Sequence, residues 1–184
     1  ESVDINGIIP PMVTPMGIHE ELDVPGIRRE AELLLSSGVH GISFAGSTGE
    51  GAILSDREIA SGLDAVQEVN TQTVPLVCGV IRNSTRDAIQ TAQVAREAGA
   101  DALMVTPTFY YGASEDGTCE FYERIAALGL PVIVYNVVPG NQVSPRLMER
   151  LIRIDNVIGI KQSLGSSVDF VDMLDVGNGD NAVL

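Results

Sequence analysis

PLVCGVIRNSTRDAIQTAQVAREAGADALMV, residues 75–105, runs from one apolar segment through a helix-like segment into a second apolar segment. Pro75–Val80 and Ala102–Val105 have the length and composition of strands buried on both faces. Between them, Ser84-Thr-Arg-Asp87 makes a capping-box pattern, in which a hydroxyl satisfies the free N–H groups of a helix start. Ala88, Ala92 and Ala95 follow at helical spacing, and Gly99 stands where a helix stops in a left-handed cap. The stretch therefore reads as one β-α-β unit. What it lacks narrows the fold further. GVIRNST, after the first apolar run, has too few glycines for the dinucleotide fingerprint of a doubly wound sheet. GNGDN at 177–181 has glycines but precedes a strand-like run instead of following one.

The same unit recurs along the chain. Apolar runs occur at Gly7–Val13, Gly41–Ala45, Pro75–Val80, Ala102–Val105, Pro131–Tyr135, Val157–Ile160 and Asn181–Leu184. They begin about 24 to 34 residues apart, room for a strand, a helix and two short loops. Ser55-Asp-Arg-Glu58 is a second capping box, followed by Ile59, Leu63 and Val66 at helical spacing. Ser144-Pro145 supplies an N-cap with proline in the first turn, and Gly38 is a second candidate helix stop. With the Rossmann fingerprint missing, the repeats favour a (β/α)8 TIM barrel. Such barrels usually need about 250 residues, whereas this chain has 184 and ends inside what would be the seventh strand. The expectation is one catalytic barrel domain over residues 1–184, incomplete at its C-terminal end, since missing closing strands would leave sheet edges exposed.

Composition excludes several roles. A formal net charge of −14 argues against nucleic acid and against anionic membrane surfaces. No apolar stretch reaches the length of a membrane span and no signal peptide is visible, so a cytoplasmic location is expected. Cys78 and Cys119 are unclustered and read as buried thiols in a reducing compartment. His19 and His40 are the only histidines and belong to no cluster with metal-ligand spacing, so a metal is not expected.

Barrel enzymes place their chemistry at the C-terminal ends of strands. There this sequence puts GSTGEG (Gly46–Gly51), TPTFYYG (Thr106–Gly112), Tyr135-Asn136 and Lys161-Gln162-Ser163. Lys161 is the only lysine beside ten arginines, and it follows an apolar strand-like run. Desolvation there favours a neutral amine able to attack a carbonyl, the chemistry of a Schiff-base lysine. A lysine that pairs with a carboxylate, or snorkels to the strand end, has the same sequence signature. Tyr135 suits a general acid/base beside that amine, or a core aromatic with a satisfied hydroxyl. GSTGEG offers glycines for a tight turn, two hydroxyls and successive N–H groups for an anion. It has Glu50 where a phosphate loop wants lysine, so a carboxylate is the expected guest, and a plain βα turn is the bland alternative.

Taken as an ordered set, GSTGE (46–50), YYGASEDG (110–117), YNVVPG (135–140) and GIKQS (159–163) resemble the pyruvate-dependent, Schiff-base-forming aldolases. That family is typified by N-acetylneuraminate lyase and dihydrodipicolinate synthase, and GIIPPMVTP (7–15) is similar to its first strand. The resemblance implies that Lys161 forms the imine with a 2-oxo acid and that Tyr135 shuttles protons. It implies that Ser47 and Thr48, with Gly46, hold the substrate carboxylate, and that Tyr110 or Tyr111, of which Tyr110 is favoured, matches a tyrosine that the synthase branch lends across a subunit contact. It further implies a homo-oligomer, dimer or tetramer, with a small-molecule 2-oxo acid substrate. One departure bears on specificity. The synthase branch has an arginine soon after its Tyr-Asn-Val-Pro run, and here Gly140, Asn141 and Gln142 follow, with no arginine before Arg146. The departure favours a 2-oxo sugar acid aldolase or dehydratase over a true 4-hydroxy-tetrahydrodipicolinate synthase. A catalytically silent 2-oxo acid binder and a structural βα scaffold remain open.

Overall fold

The structure is a computed structural model that describes residues 5–71, 74–179 and 182–184. Strands and helices alternate: α1 (Val24–Ser36), β1 (Ile42–Phe44), α2 (Asp56–Val69), β2 (Leu76–Val80), α3 (Thr85–Glu97) and β3 (Ala102–Val105). They continue with α4 (Glu115–Ala126), β4 (Val132–Asn136), α5 (Pro145–Leu151), β5 (Val157–Gln162), α6 (Ser167–Asp175) and β6 (Ala182–Val183). The strand order is β1-β2-β3-β4-β5-β6, and β1 with β2, β4 with β5 and β5 with β6 pair in parallel. Chain order equals spatial order because each crossover helix returns the chain to the next position in the sheet.

The helix boundaries follow from local chemistry. Ser55 and Glu58 form the expected capping box at α2. Ser84 Oγ accepts the Asp87 N–H, and Ser144 Oγ accepts the Leu147 N–H at α5. Gly38 and Gly99 adopt left-handed φ of 77° and 81°. A further capping box, Ser166 with Asp169, starts α6; the hydrogen bonds from Ser166 hold the Asp169 carboxyl below its ordinary range.

Two expected strands differ. The Gly7–Val13 run is not a regular strand and makes only an isolated parallel bridge, Pro11 to Ser43. It still lies along β1, through His40 N–H to Ile8 O, Ser43 N–H to Pro10 O and Met12 N–H to Ser43 O. Pro10 and Pro11 have no N–H to give, and their loss of ladder donors explains the interruption. At the other end of the chain, β5 runs through Lys161 to Gln162 instead of stopping at Ile160. Of the Asn181–Leu184 run, Asn181 lies outside the described residues and Ala182–Val183 form β6.

By contacts the chain divides into two units, Glu1–Val80 with Gln90–Leu103, and Ile81–Ile89 with Met104–Leu184. In the first, Ile42, Phe44, Leu63, Leu76 and Ile27 are fully buried. Here α2 packs on β1 through Gly62, where any Cβ would run into the Phe44 ring. In the second, Leu151, Ile133, Ile125 and Met148 form the apolar interior. Its largest fully buried side chain, Tyr122, donates its hydroxyl to Val105 O at 2.8 Å. Cys78 and Cys119 are buried free thiols. Among the described residues no helix is long and apolar enough to cross a membrane.

Burial holds the Tyr122 phenol well above its ordinary value of 10, so it stays a proton donor to Val105. Tyr122→Phe leaves that buried carbonyl without its side-chain partner and is expected to cost about 1–3 kcal/mol in urea unfolding at pH 7. A raised folded-state pKa contributes stability that is complete below the unfolded value and is lost as pH rises past it. The difference between wild type and Tyr122→Phe should therefore narrow above about pH 10.

Candidate active site

Each unit contains its own share of the residues singled out from the sequence: Gly46, Ser47 and Thr48 in the first, Tyr110, Tyr135 and Lys161 in the second.

In the first unit, the loop after β1 is shaped by backbone contacts. Ala45, fully buried, has φ of 57°, and Glu50 has φ of 54°. Left-handed backbone costs a residue with a Cβ roughly 1–2 kcal/mol and persists only where the surroundings hold it. The surroundings here are two glycines. A Cβ on Gly51 or on Gly79 of β2 would strike the Ala45 carbonyl oxygen. The loop then closes on itself through Glu50 N–H to Ser47 O and Gly51 N–H to Gly46 O. Thr14 Oγ1 donates to Gly49 O at 2.6 Å from below. The Glu50 and Gly51 amides are thus engaged inside the turn, and Ser47 and Thr48 are solvent-exposed while Gly46 is buried. Gly79 and Ala45 escaped the sequence reading, although glycine inside a strand is a signal of close backbone approach.

In the second unit, β4 and β5 bring Tyr135 and Lys161 together. The two are register partners, and Lys161 Nζ lies 4.5 Å from the centre of the Tyr135 ring. A cation over an aromatic face at this distance is an attractive cation–π contact. Tyr135 is buried and Lys161 is half-buried. The register depends on one irregularity. Val132 pairs with Val157 but Ile133 pairs with Gly159, so Ile158 is an extra residue on β5. Partner residues on parallel strands point to the same face, and a slip of one reverses the face. Without Ile158 in excess, Lys161 would stand opposite Asn136 and point away from Tyr135. No apolar pattern in the sequence reports such a shift.

Hydrogen bonds from asparagine side chains hold the loops of this unit. Asn83 Oδ1 accepts from Phe109 N–H and Tyr110 N–H, each at 2.9 Å. Asn141 Nδ2 donates to Thr108 O, and Thr108 Oγ1 donates to Tyr111 O. On this braced loop Tyr110 and Tyr111 stack edge to face at 4.6 Å and are 72% and 79% exposed. Among the described residues, no group of His, Cys, Asp and Glu has the arrangement of a metal site. His40 serves the backbone, its Nδ1 accepting the Ile8 N–H.

Parallel strands joined by helices, with reactive side chains at their C-terminal ends, define part of a (β/α)8 barrel. A family model, the dihydrodipicolinate synthetase family, matches residues 4–180, and the chain belongs to this family. A 4-hydroxy-tetrahydrodipicolinate synthase of Methanoculleus marisnigri is 34% identical over 163 residues, 86% of this chain and 56% of the relative. The chloride-inhibited dihydrodipicolinate synthase of Acinetobacter baumannii, solved with pyruvate, matches with a TM-score of 0.93 and 32% identity, covering 98% of this chain and 63% of that one. N-acetylneuraminate lyase from Mycoplasma synoviae matches with a TM-score of 0.85 and 27% identity, covering 97% and 61%. The chain thus spans a little over half the length of the curated relative.

The close approach at Ala45 gives a direct test of the first-unit loop. Gly79→Ala drives a methyl into the Ala45 carbonyl and is expected to lower stability by about 1–3 kcal/mol, the range of overpacking. Ala45→Gly relieves the left-handed backbone and is expected to be neutral or slightly stabilising in the same unfolding measurement.

Proposed function

We propose that this protein is a Schiff-base aldolase or lyase acting on pyruvate or another 2-oxo acid, with Lys161 as the imine-forming residue. The observation that carries the reading is the lysine amine seated over the Tyr135 ring, on paired residues at the ends of adjacent parallel strands. Membership of the family and the pyruvate complex of the Acinetobacter baumannii relative support the substrate class.

In this mechanism the neutral Lys161 amine adds to the C2 ketone. Water leaves from the carbinolamine, with Tyr135 moving the proton that this requires. The protonated imine then takes up the electron pair released at C3, whether a C3–C4 bond or a C3–H bond is broken, and forms an enamine. Reprotonation at C3, or attack of C3 on an aldehyde, followed by hydrolysis returns the free lysine. Ser47 and Thr48 fix the substrate carboxylate, which turns an encounter into a positioned reaction. The lysine itself supplies the electron sink, so the scheme requires no metal or organic cofactor. Tyr110, exposed on its braced loop, is proposed to act across a subunit contact in a dimer or tetramer.

For the second substrate, the loop after β4 favours a 2-oxo sugar acid, handled by aldol cleavage or dehydration. Gly140, Asn141 and Gln142 offer amides and no guanidinium for a second carboxylate. The opposing reading, 4-hydroxy-tetrahydrodipicolinate synthase, is favoured by the name of the Methanoculleus marisnigri relative. Turnover on a panel of 2-oxo sugar acids against pyruvate with aspartate semialdehyde separates them, and fast turnover of the latter pair overturns the sugar-acid preference.

The imine itself is tested with borohydride. Reduction in the presence of pyruvate is expected to add a stable mass at Lys161, and Lys161→Arg is expected to abolish it. An unmodified wild type sinks the Schiff-base reading. Tyr135→Phe keeps the aromatic face and removes only the hydroxyl; it should still trap pyruvate, with turnover lowered about 100- to 10,000-fold if the hydroxyl moves protons.

A further inference from the structure

Asn136 follows Tyr135 at the end of β4 and is 1% exposed. A buried primary amide must place two donors and an acceptor, and here all are placed. Asn136 Oδ1 accepts the Val143 N–H at 2.9 Å. Its Nδ2 donates to Val143 O at 3.0 Å and to Gln162 Oε1 at 2.8 Å. Its backbone carbonyl accepts the Ser163 N–H at 3.1 Å. Gln162 is in turn fixed by donating Nε2 to Leu164 O at 2.6 Å. One side chain therefore closes the 137–143 loop onto its own base and ties that base to the residue after Lys161.

We propose that Asn136 is a positioning residue whose amide couples the 137–143 loop to β5 at Gln162 and so holds Lys161 Nζ in place against the Tyr135 ring. The geometry leaves little choice of residue. Aspartate keeps the acceptor for Val143 N–H but has no donor for Val143 O or Gln162 Oε1, and would face both oxygens with a third. Leucine fills the space and satisfies none of the three. The register places Asn136 beside Gln162 in the same way that it places Tyr135 beside Lys161, so the amide bond locks the rung next to the reacting one. The same anchor at Val143, directly before the Ser144 N-cap of α5, fixes where the 137–143 loop begins and ends.

The inference rests on the proposed role of Lys161, and its test separates the two. Single-turnover trapping of pyruvate by borohydride is compared in the intact wild-type protein, in Asn136→Ala and in Gln162→Met. The second variant removes the acceptor on β5, together with the donor to Leu164 O, and spares the loop clamp, so it stands where Asn136→Ala fails to fold. Displacements near an ångström cost on the order of 100-fold in rate. The expected result is a trapping rate lowered about 10- to 100-fold in Gln162→Met, with the pyruvate concentration for half-saturation changed less than about threefold. Its melting temperature should fall by only a few degrees, and the rate is taken per active site so that this loss does not enter it. A merely structural role would lower the melting temperature and the active fraction and leave the rate per active site unchanged. A wild type that traps pyruvate while Gln162→Met traps it equally fast overturns the positioning role alone. A wild type that forms no adduct overturns the Schiff-base reading, and this inference with it.

Discussion

The parallel pairing of β4 with β5 is the constraint on which the reactive centre depends. A strand offers alternate side chains to opposite faces, so the face that Lys161 occupies is a question of parity. The extra residue at Ile158 supplies the odd step that turns Lys161 toward Tyr135. Asn136 and Gln162 then pin the following rung, and Gly159 and Ile160 pair onward with β6. A single polar residue inserted ahead of Lys161 would conserve every hydrophobic residue of the strand and still turn the lysine to the other face. The surrounding apolar core contributes rigidity, since a packed interior cannot slide by half a residue repeat.

The two units solve the same problem by different physics. In the first, the Gly46–Gly51 turn is set chiefly by main-chain contacts, a left-handed Ala45 and two glycines against its carbonyl, with one side-chain bond from Thr14 Oγ1 to Gly49 O. In the second, polar side chains do the bracing, through Asn83, Asn136 and Asn141. Backbone bracing tolerates no added Cβ, whereas amide bracing tolerates no loss of a donor or an acceptor. The two halves should therefore show opposite sensitivities, the first to enlargement and the second to truncation.

Much of this was legible in the residues. Apolar runs at regular intervals gave the strands, and hydroxyls three residues ahead of acids gave the starts of α2 and α3. Local signals of this kind survive folding because they act within one turn. The failures were long-range or subtractive. Pro10 and Pro11 broke an apolar run that otherwise reads as a strand, although the chain still follows β1 there. The register shift at Ile158 and the approach of Gly79 to Ala45 involve partners about 26 and 34 residues away in sequence, beyond any periodicity. In the sequence Asn136 is one polar residue at a strand end. Its importance lies in Val143 and Gln162, which no spacing rule connects to it.

The solitary lysine has a consequence for how this chain is cut. Trypsin severs after Arg153 and after Lys161, releasing Ile154–Lys161, and no arginine or lysine follows before Leu184. Any stable carbon substituent on Nζ that removes Lys161 from the protease's repertoire merges that octapeptide with everything downstream of it. Occupancy of the amine is thereby written into the digestion pattern as the disappearance of a single cleavage, with the ten arginine sites as internal references.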